Sequence, residues 1–299
     1  MLVDRRSVVL AFVLLVLFWG STFSVIKTGL AYSPPVLFAG VRTLLCGMVV
    51  AFGALVWGGP LRLRRDWRGY LLLAVFNVVG FMGLQTLTIM YMPSGSAAVV
   101  IYLQPILVGL LSYLILDEPF SVSKVAGLFL GFSGIVAVSA GSLFGSSLGP
   151  PLGVFLGAGS AISWALGTVY FKGYGERLSM AWAVALPFSL GGVSLLGLGL
   201  ALESPSEISW TGTFVASLAY TSLVGTALAW LLWLRLVRAG EASRVAAYVF
   251  FVPLVSILIG VLFLGEPVGP PLLAGAALVI LGIYLVNRRG AGERKEKGS

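Results

Sequence analysis

Histidine is missing from this sequence of 299 residues, and cysteine occurs once, at Cys46. Without histidine the chain has no HExxH-type zinc site, no His-based catalytic triad and no side chain that ordinarily titrates near neutral pH. A single cysteine excludes an intrachain disulfide framework. The 11 acidic residues avoid the middle of the apolar segments, so no proton or sodium ligand is evident there. We therefore expect no enzymatic activity, no bound metal and no cofactor.

Charged residues make up only 10% of the chain and hydrophobic residues 59%, with a mean hydropathy of +1.03. Such a chain cannot bury its apolar surface in one water-soluble core, so we predict an all-α integral membrane protein. Ten apolar segments are each close to the ~20 residues that cross a bilayer as a helix. They are Ser7–Leu30, Pro34–Trp57, Gly69–Tyr91, Gly95–Leu116, Val125–Ser142, Leu152–Phe171, Ser179–Leu202, Gly212–Leu234, Ala242–Leu264 and Leu272–Val286.

The distribution of charge predicts how the chain is oriented. With a cytoplasmic N-terminus, 17 of the 19 basic residues fall in cytoplasmic segments, while the external links hold three acids, Glu203, Glu207 and Glu266. The positive-inside rule then places both termini in the cytoplasm. This pattern explains the net charge of +8 without a nucleic-acid partner. The first segment is too long for a signal peptide, and residues 288–299 are predicted to form a basic cytoplasmic tail.

The sequence contains an internal repeat. Ser94–Pro119 matches Ala242–Pro267 at a shift of 148 residues, which superimposes Pro105 on Pro253. The Glu-Pro pair at the end of each stretch also matches, as do two glycines in the segment that follows. Shared order in several residue types favours a true duplication over the apolar periodicity common to all helical membrane proteins.

The repeat predicts two halves of opposite orientation. A spacing of 145 residues superimposes Trp19 on Trp164 in the first segment of each half, which defines repeats over 1–146 and 147–287. Because five segments is an odd number, the second copy must enter the membrane from the opposite side. We predict ten transmembrane helices as two inverted five-helix repeats, an architecture typical of secondary transporters.

These features resemble one protein family. They are FWGSTF in the first segment, Pro34-Pro35 followed by Arg42, the stretch SGSAAVVIYLQP that leads to DEP, and the paired glycines after each Glu-Pro. The chain resembles the drug/metabolite transporter superfamily and its EamA-type members over nearly its whole length. Within that group it looks most like the bacterial aromatic amino-acid exporter branch. The resemblance implies a ten-helix inner-membrane exporter of small metabolites.

Four residues of the third segment form a polar and aromatic stripe. Asn77, Phe81, Gln85 and Thr88 lie within about 80° of one another at ~100° per residue. A polar stripe on a membrane helix must face protein or water, so it marks either a cavity wall or a hydrogen-bonded helix contact. We treat all four as candidate substrate-binding residues.

Aromatic residues supply further candidates for substrate binding. They are Trp19, Trp164 with Thr168 one turn later, Tyr102 and Tyr248. Aromatic faces accept flat apolar substrates, and the indole N–H or phenol O–H can orient them. The alternative for any single tryptophan is a position at the membrane interface. Trp230 and Trp233 are ambiguous between these two interpretations.

Two prolines and two basic residues have alternative interpretations. Pro105 and Pro253 each remove one helical N–H, and their recurrence in both halves predicts matched hinges, although a packing kink is the alternative. For Lys27 and Arg42, near external helix ends, snorkelling or structural pairing is favoured over binding a substrate carboxylate.

The sequence favours a carrier that exports neutral, aromatic or apolar, amino acids and related metabolites by alternating access. Its expected partners are the small-molecule substrate and the lipid bilayer, and we expect a monomer. The alternatives are a broad drug or nucleotide-sugar carrier, a membrane enzyme, and a scaffold with no central cavity. An enzyme would have to use serine or lysine, for example Ser24, Ser160 or Ser163 beside a lysine.

Overall fold

The computed structural model describes residues 5–57, 59–92, 94–139, 150–264 and 270–288, and within these ranges the regular structure is entirely helical. Helices α1–α3 span Arg5–Leu30, Pro35–Trp57 and Leu63–Tyr91, and helix α4 consists of Ser94–Ile101 and Gln104–Leu116. Helices α5–α8 span Val122–Val138, Pro151–Tyr174, Met180–Leu202 and Gly212–Ala239. Helix α9 consists of Ala242–Ala247 and Phe251–Leu264, and helix α10 spans Pro270–Asn287. Helices thus lie at all the segments predicted from the sequence.

Seven of these helices, α1–α4 and α6–α8, are long and apolar enough to cross a membrane. In the described residues the apolar stretches of α5, α9 and α10 are shorter, at Val122–Val138, Ala242–Ser256 and Leu273–Asn287. Large apolar side chains such as Phe52, Leu55 and Phe155 lie on the outer surface, 70–77% exposed. Such a surface is stable in lipid and not in water, which makes the chain a multi-pass membrane protein.

Helix α3 starts at Leu63, six residues before the predicted Gly69. Its first turns carry Arg64, Arg65 and Arg68, which a hydropathy criterion excludes from a membrane segment. Asp66 in the first turn favours a helix there, because an acidic side chain is stabilised near a helix N-terminus. The helix therefore extends past the apolar segment that predicted it.

Helices α2 and α7 meet through glycines with no space for a side chain. A Cβ atom at Gly40 would lie 2.6 Å from the Leu196 backbone N, and one at Gly192 would lie 2.5 Å from the Leu44 N. Residue numbers rise along α2 where they fall along α7, so the two helices are antiparallel. Glycine is needed at these positions because the backbones touch.

Helices α5 and α10 form a second contact of the same kind. A Cβ at Gly127 would lie 2.5 Å from the Gly282 O, and one at Gly134 would lie 2.7 Å from the Gly275 O. The reverse distances, from Gly282 to the Gly127 O and from Gly275 to the Gly134 O, are both 2.6 Å. This pair is also antiparallel. We call the α2–α7 and α5–α10 contacts the glycine seams.

Four helices near the centre of the bundle depart from regular α geometry. Helix α3 is a π-helix over Ala74–Gly83, and α8 is one over Leu223–Leu228. Helix α4 is interrupted at residues 102–103, just before Pro105. Helix α9 changes to a 3₁₀ turn at Tyr248–Phe250, just before Pro253. The third and fourth helices of each half therefore carry the same kinds of irregularity, which alter the direction in which the next side chains point.

Two carboxylates, one at each end of the bundle, connect the first half of the chain to the second by hydrogen bonds. Glu118, after α4, accepts hydrogen bonds from the backbone N of Ala242 (2.6 Å) and Ser243 (3.1 Å) at the start of α9. Glu203, after α7, accepts from the backbone N of Val36 (2.9 Å) and Leu37 (2.7 Å) in α2. Each carboxylate caps a helix N-terminus in the other half.

Three sequence predictions fall partly or wholly outside the described residues. Glu266, the repeat counterpart of Glu118, lies outside them, as does the tail after Arg288. The predicted boundary between the repeats, at 146–147, lies in the 140–149 gap.

Candidate functional site

Five aromatic rings meet where α1, α3, α6 and α8 pack together. Trp19 contacts Trp164 edge to face, with ring centroids 5.4 Å apart, and also contacts Trp233 at 5.5 Å. Phe81 stacks on Trp164 at 4.5 Å, and Trp230 lies 6.0 Å from Phe81. We call these five residues the aromatic cluster. Because Trp19 and Phe81 come from the first half of the chain and the other three from the second, the cluster joins the halves at the centre.

The indole N–H groups of this cluster are unusual. The Nε1 atoms of Trp164, Trp230 and Trp233 are buried and have no hydrogen-bond partner among the described residues. Trp182, outside the cluster, shows the usual arrangement, because its Nε1 donates to the Gly59 O at 2.9 Å. Buried donors are nearly always satisfied, so an unsatisfied buried group calls for an explanation. Three such groups in one cluster make these residues a candidate functional site.

The cluster borders a small central cavity of about 30 Å³. Space of this size holds one or two water molecules, whereas small-molecule sites usually measure ~300–1,000 Å³. In the described conformation the cavity therefore has no room for a small organic molecule. The cavity is lined by Trp19, Thr22, Phe23, Ile26, Arg42, Phe81, Met82, Gln85, Ile101, Tyr102, Trp164, Gly225, Thr226 and Trp230.

Five of the residues predicted from the sequence meet at this cavity: Trp19, Phe81, Gln85, Tyr102 and Trp164. The interruption of α4 explains the position of Tyr102, which lies in the turn itself and is 2% exposed. The π segments of α3 and α8 supply Phe81 and Met82 from one side and Gly225 and Thr226 from the other. Irregular backbone from both halves therefore borders the cavity.

The other four predicted binding residues lie elsewhere. Asn77 is buried against Gly167 of α6, a helix contact and not a cavity wall. Thr88 donates to the Leu84 O (2.7 Å) within its own helix. Thr168 donates to the Trp164 O (2.8 Å) in its own helix and accepts from the Gln104 Nε2 of α4 (3.5 Å). Tyr248 is half-buried with its ring 4.2 Å from that of Phe12. The predicted stripe assumed 100° per residue along α3, and the π segment departs from that spacing.

The predicted hinge prolines are not among the residues that line the cavity. Pro105 and Pro253 are both buried, and each follows the irregular turn of its helix. Among the described residues, Tyr102 is the side chain in these two turns that reaches the cavity wall. Movement at the α4 turn would therefore displace a cavity-lining residue directly.

Arg42 was not among the predicted binding residues, yet it lines the cavity. It is 1% exposed, so snorkelling to the interface, one of the two interpretations favoured from the sequence beside structural pairing, is wrong for this residue, whereas Lys27 is exposed. Arg42 follows Pro35 by seven residues, which places it about 10 Å along the axis of α2. Its Nε and Nη2 atoms have no hydrogen-bond partner among the described residues. The sequence signal was an arginine inside an apolar helix, but its neighbours were unknown.

Groups that could support catalysis or bind a metal are not gathered at the cavity. Ser160 donates to the Phe81 O at 3.1 Å, and within the described ranges none of Ser24, Ser160 and Ser163 is hydrogen bonded to a lysine. In the described part of the chain, no three His, Cys, Asp or Glu residues could hold a metal ion. A larger depression of about 1,030 Å³, open to the surroundings, lies near Tyr32 and Glu203, and none of the predicted site residues lines it.

Comparisons with known proteins agree with a membrane transporter. The chain is 44% identical over 290 residues to the uncharacterized transporter YvbV of Bacillus subtilis, covering 97% of this chain and 94% of YvbV. It is 30% identical over 283 residues to a protein of Salmonella typhimurium named "Probable amino-acid metabolite efflux pump", covering 91% and 92% of the two chains.

A solved crystal structure shares the fold. It superimposes with a TM-score of 0.82 at 19% sequence identity, and the match covers 99% of this chain and all of the other. A model of the EamA-like transporter family matches the chain twice, at residues 6–140 and 151–288. With helices and a central site as described, these matches show that the chain belongs to the EamA-like transporter family.

Proposed function

We propose that this protein exports neutral, aromatic or apolar, amino acids and related metabolites across the bacterial inner membrane by alternating access. The observation that carries the proposal is the aromatic cluster. It closes a small cavity between the two halves of the chain and contains indole N–H groups with no partner in the described residues. The cluster offers stacking surfaces for a flat side chain and donors for its polar atoms. The name of the Salmonella relative points to the same class of substrate.

Several observations support an inverted repeat of two five-helix units. The family model matches once in each half. The second helices of the halves, α2 and α7, pack antiparallel, and so do the fifth helices, α5 and α10. In the α5–α10 seam the contact of Gly127 with Gly282 is repeated by Gly275 with Gly134, and the 148-residue shift superimposes these two pairs. Such reciprocal contacts are expected around a two-fold axis.

Alternating access requires that the halves move without separating. The glycine seams hold two pairs of helices together, while the cavity is lined by the remaining helices and, among the seam helices, by Arg42 of α2. We infer that Pro105 and Pro253 act as matched hinges, each beside an irregular turn at the same place in its half. Bending there would open the cavity alternately to each side of the membrane.

The other functions weighed above lack comparable support. A nucleotide sugar carries several phosphate charges and requires more than one cation, whereas Arg42 is the single cationic side chain among the described residues that line the cavity. A membrane enzyme would need a nucleophile with a base close by, and the candidate serines have no lysine partner in the described ranges. A scaffold predicts no exchange of any solute.

Counterflow in proteoliposomes tests the proposal. Vesicles are preloaded in turn with tryptophan, phenylalanine, threonine, lysine and UMP, and the entry of labelled phenylalanine is followed without an imposed ion gradient. Protein-free vesicles serve as the control. Stimulation by the internal neutral amino acids, and not by lysine or UMP, is the expected result. Absence of stimulation by any neutral amino acid would contradict the proposal, and stimulation by UMP alone would favour a nucleotide carrier.

The proposed orientation, with both termini in the cytoplasm, can be tested by cysteine labelling. Cys46 is buried, so the natural chain presents little background. Ser206 and Arg288 are exposed and lie in the predicted external and cytoplasmic segments. We expect Ser206→Cys to react with a membrane-impermeant maleimide in intact cells and Arg288→Cys to react only after permeabilisation. The opposite pattern would reverse the topology.

A further inference from the structure

Arg42 is a buried cation on the wall of the central cavity, and the function proposed above gives it no role. We propose that Arg42 binds the carboxylate of the substrate, so that the site selects molecules in which a carboxylate is joined to a flat apolar body. This inference rests on the proposed transport function and specifies which end of the substrate each part of the cavity holds.

Within the part of the chain that the structure describes, the charge of Arg42 has no acidic partner. The side chain is 1% exposed, and its Nε and Nη2 atoms have no hydrogen bond within the described residues. No aspartate or glutamate is found among the described residues that line the cavity. A charged group buried for structural reasons is normally paired, because leaving it unpaired at membrane depth is expensive. A buried guanidinium that faces a cavity is therefore best explained by an anion that comes with the ligand.

The hydrogen-bonding groups around the cavity show an excess of donors. Besides the two Arg42 nitrogens, the Nε1 atoms of Trp164 and Trp230 are buried and unsatisfied in the described structure. Arginine and indole N–H groups can donate and cannot accept. A ligand that satisfies them must present acceptor oxygens, and a carboxylate presents two in the fork geometry that suits a guanidinium.

The acceptors on the wall are complementary to an ammonium group. The Thr22 hydroxyl donates to the Phe18 O at 2.5 Å and the Thr226 hydroxyl to the Thr221 O at 2.7 Å, so each has only lone pairs left to offer. The amide oxygen of Gln85 is a further possible acceptor on the wall. With Arg42 and the aromatic cluster, the cavity wall provides for a carboxylate, an ammonium and a flat apolar side chain. These are the three parts of an aromatic amino acid.

A phosphate monoester offers the same oxygen acceptors and is the alternative source of the anion. A single guanidinium without a second cation in the described lining matches a singly charged carboxylate better than a phosphate of nearly two charges. The test below includes an aryl phosphate so that the two anions are distinguished.

The test compares substrates with and without the carboxylate in wild-type protein, Arg42→Gln and Arg42→Lys. Lys27→Gln is the matched control, because Lys27 is the other basic residue near an external helix end and is exposed. Counterflow of labelled tryptophan and labelled tryptamine is measured below saturation. We expect the wild type to prefer tryptophan, and Arg42→Gln to lower tryptophan exchange about 30-fold or more while tryptamine exchange changes little. Arg42→Lys retains the charge without the fork and should give an intermediate preference.

An unchanged ratio of tryptophan to tryptamine in Arg42→Gln would overturn the inference. If Arg42→Gln does not fold, Arg42→Lys decides, since the inference requires a lower ratio in that variant too. Lys27→Gln should retain the wild-type ratio, and an equal fall in Lys27→Gln would also overturn the inference.

Ligand-dependent thermal stability separates this inference from the transport function. Purified protein is heated in detergent with indole-3-acetate, tryptamine or phenyl phosphate. Indole-3-acetate should raise the Tm of the wild type and not that of Arg42→Gln, even if no amino acid is exchanged by the wild type. Equal stabilisation of the two proteins, no stabilisation of either, or stronger Arg42-dependent stabilisation by phenyl phosphate would overturn the carboxylate assignment.

Discussion

The glycine seams and the aromatic cluster both join the first half of the chain to the second, yet they do so in opposite ways. In the seams, backbone atoms meet directly and a single added Cβ would lie 2.5–2.8 Å from backbone atoms of the partner helix, as at Gly40 and Gly192. In the cluster, large rings meet at centroid distances of 4.5–6.2 Å around an empty space of about 30 Å³.

The difference shows which contacts can rearrange. Where the backbones touch at glycines, the two helices can pack in only one arrangement. No side chain lies between them that could rotate to accommodate a shift of one helix against the other. Each aromatic contact contributes only ~0.5–1.5 kcal/mol beyond its buried area, and rings can re-pack by rotating. We infer that the seams keep the halves together while the cluster opens. Substitutions in the seams should therefore reduce stability, and conservative substitutions in the cluster should reduce transport.

The largest effect is expected in the α2–α7 seam. Gly192→Val would place its Cβ 2.5 Å from the Leu44 N and 2.7 Å from the Leu44 Cα, so the helices would have to move apart. We expect a loss of about 3 kcal/mol in the free energy of unfolding. Gly197→Val in the same helix is the control, since no atom lies within 4 Å of its Cβ position. Thermal unfolding in detergent measures both. Equal Tm values for the two variants would show that the seam is not rigid.

The carboxylate caps extend the rigid contacts to the ends of the bundle. Glu118 is 9% exposed and accepts from two backbone N–H groups and the Ser243 hydroxyl, whereas Glu203 is half-buried and accepts from two backbone N–H groups. We expect Glu118→Ala to lower the stability by about 2 kcal/mol and Glu203→Ala by about 1 kcal/mol, because a more exposed charged hydrogen bond contributes less. Chemical or thermal unfolding of each variant is the measurement. A larger loss from Glu203→Ala would reverse this ranking.

Replacing both Pro105 and Pro253 tests whether opening of the cavity depends on these two prolines. Pro105→Ala with Pro253→Ala should restore a regular helix in place of each turn and raise the barrier to opening by about 1.4 kcal/mol, a roughly tenfold slower exchange. Because neither proline lies in a seam, the Tm should change little. Counterflow rates and Tm are measured on the same preparation. Unchanged exchange would contradict the hinge interpretation. Pro187→Ala is the control, because Pro187 lies inside α7, which belongs to a glycine seam.

The smallest change in stability is expected for Trp164→Phe, a variant of the aromatic cluster, which is compared with Trp182→Phe outside the cluster. Trp164→Phe removes an N–H that has no partner in the described residues, so stability should stay the same or rise by up to about 1 kcal/mol while transport falls. Trp182→Phe removes a hydrogen bond to the Gly59 O and should cost about 1 kcal/mol. Paired Tm and counterflow measurements check both variants. A similar loss of stability in both would mean that the Trp164 N–H has a partner in the resting protein.

Much of the candidate site could be predicted from the sequence where the signal was a repeat or a periodic pattern. Trp19 and Trp164 were identified because they superimpose in the two halves, and both belong to the aromatic cluster. Phe81 and Gln85 were identified because they lie on one face of α3, and both line the cavity. These signals work because they depend on position along a single helix.

The residues that prediction misplaced depend on geometry that one helix does not contain. Asn77 and Thr88 share the apparent stripe of Phe81 and Gln85, but the π segment of α3 breaks the regular spacing and other helices cover them. Tyr248 lies in the 3₁₀ turn of α9 and packs on Phe12 of α1. The positions of these side chains depend on the π segment of α3 and the 3₁₀ turn of α9, where the regular spacing of 100° per residue does not hold.

The sequence by itself determined that this is a helical membrane protein, where its apolar segments lie, and which positions recur in its two halves. Hydropathy, charge and repeat spacing are properties of the sequence itself, so they can be evaluated without knowledge of the fold. Only the tertiary structure decided that Arg42 lies buried on a cavity wall and that Trp230 and Trp233 complete the aromatic cluster. The physical reason is that an arginine one-third of the way along a membrane helix looks the same in sequence whether it reaches the interface or faces a cavity. What surrounds it is set by helices far away in the chain.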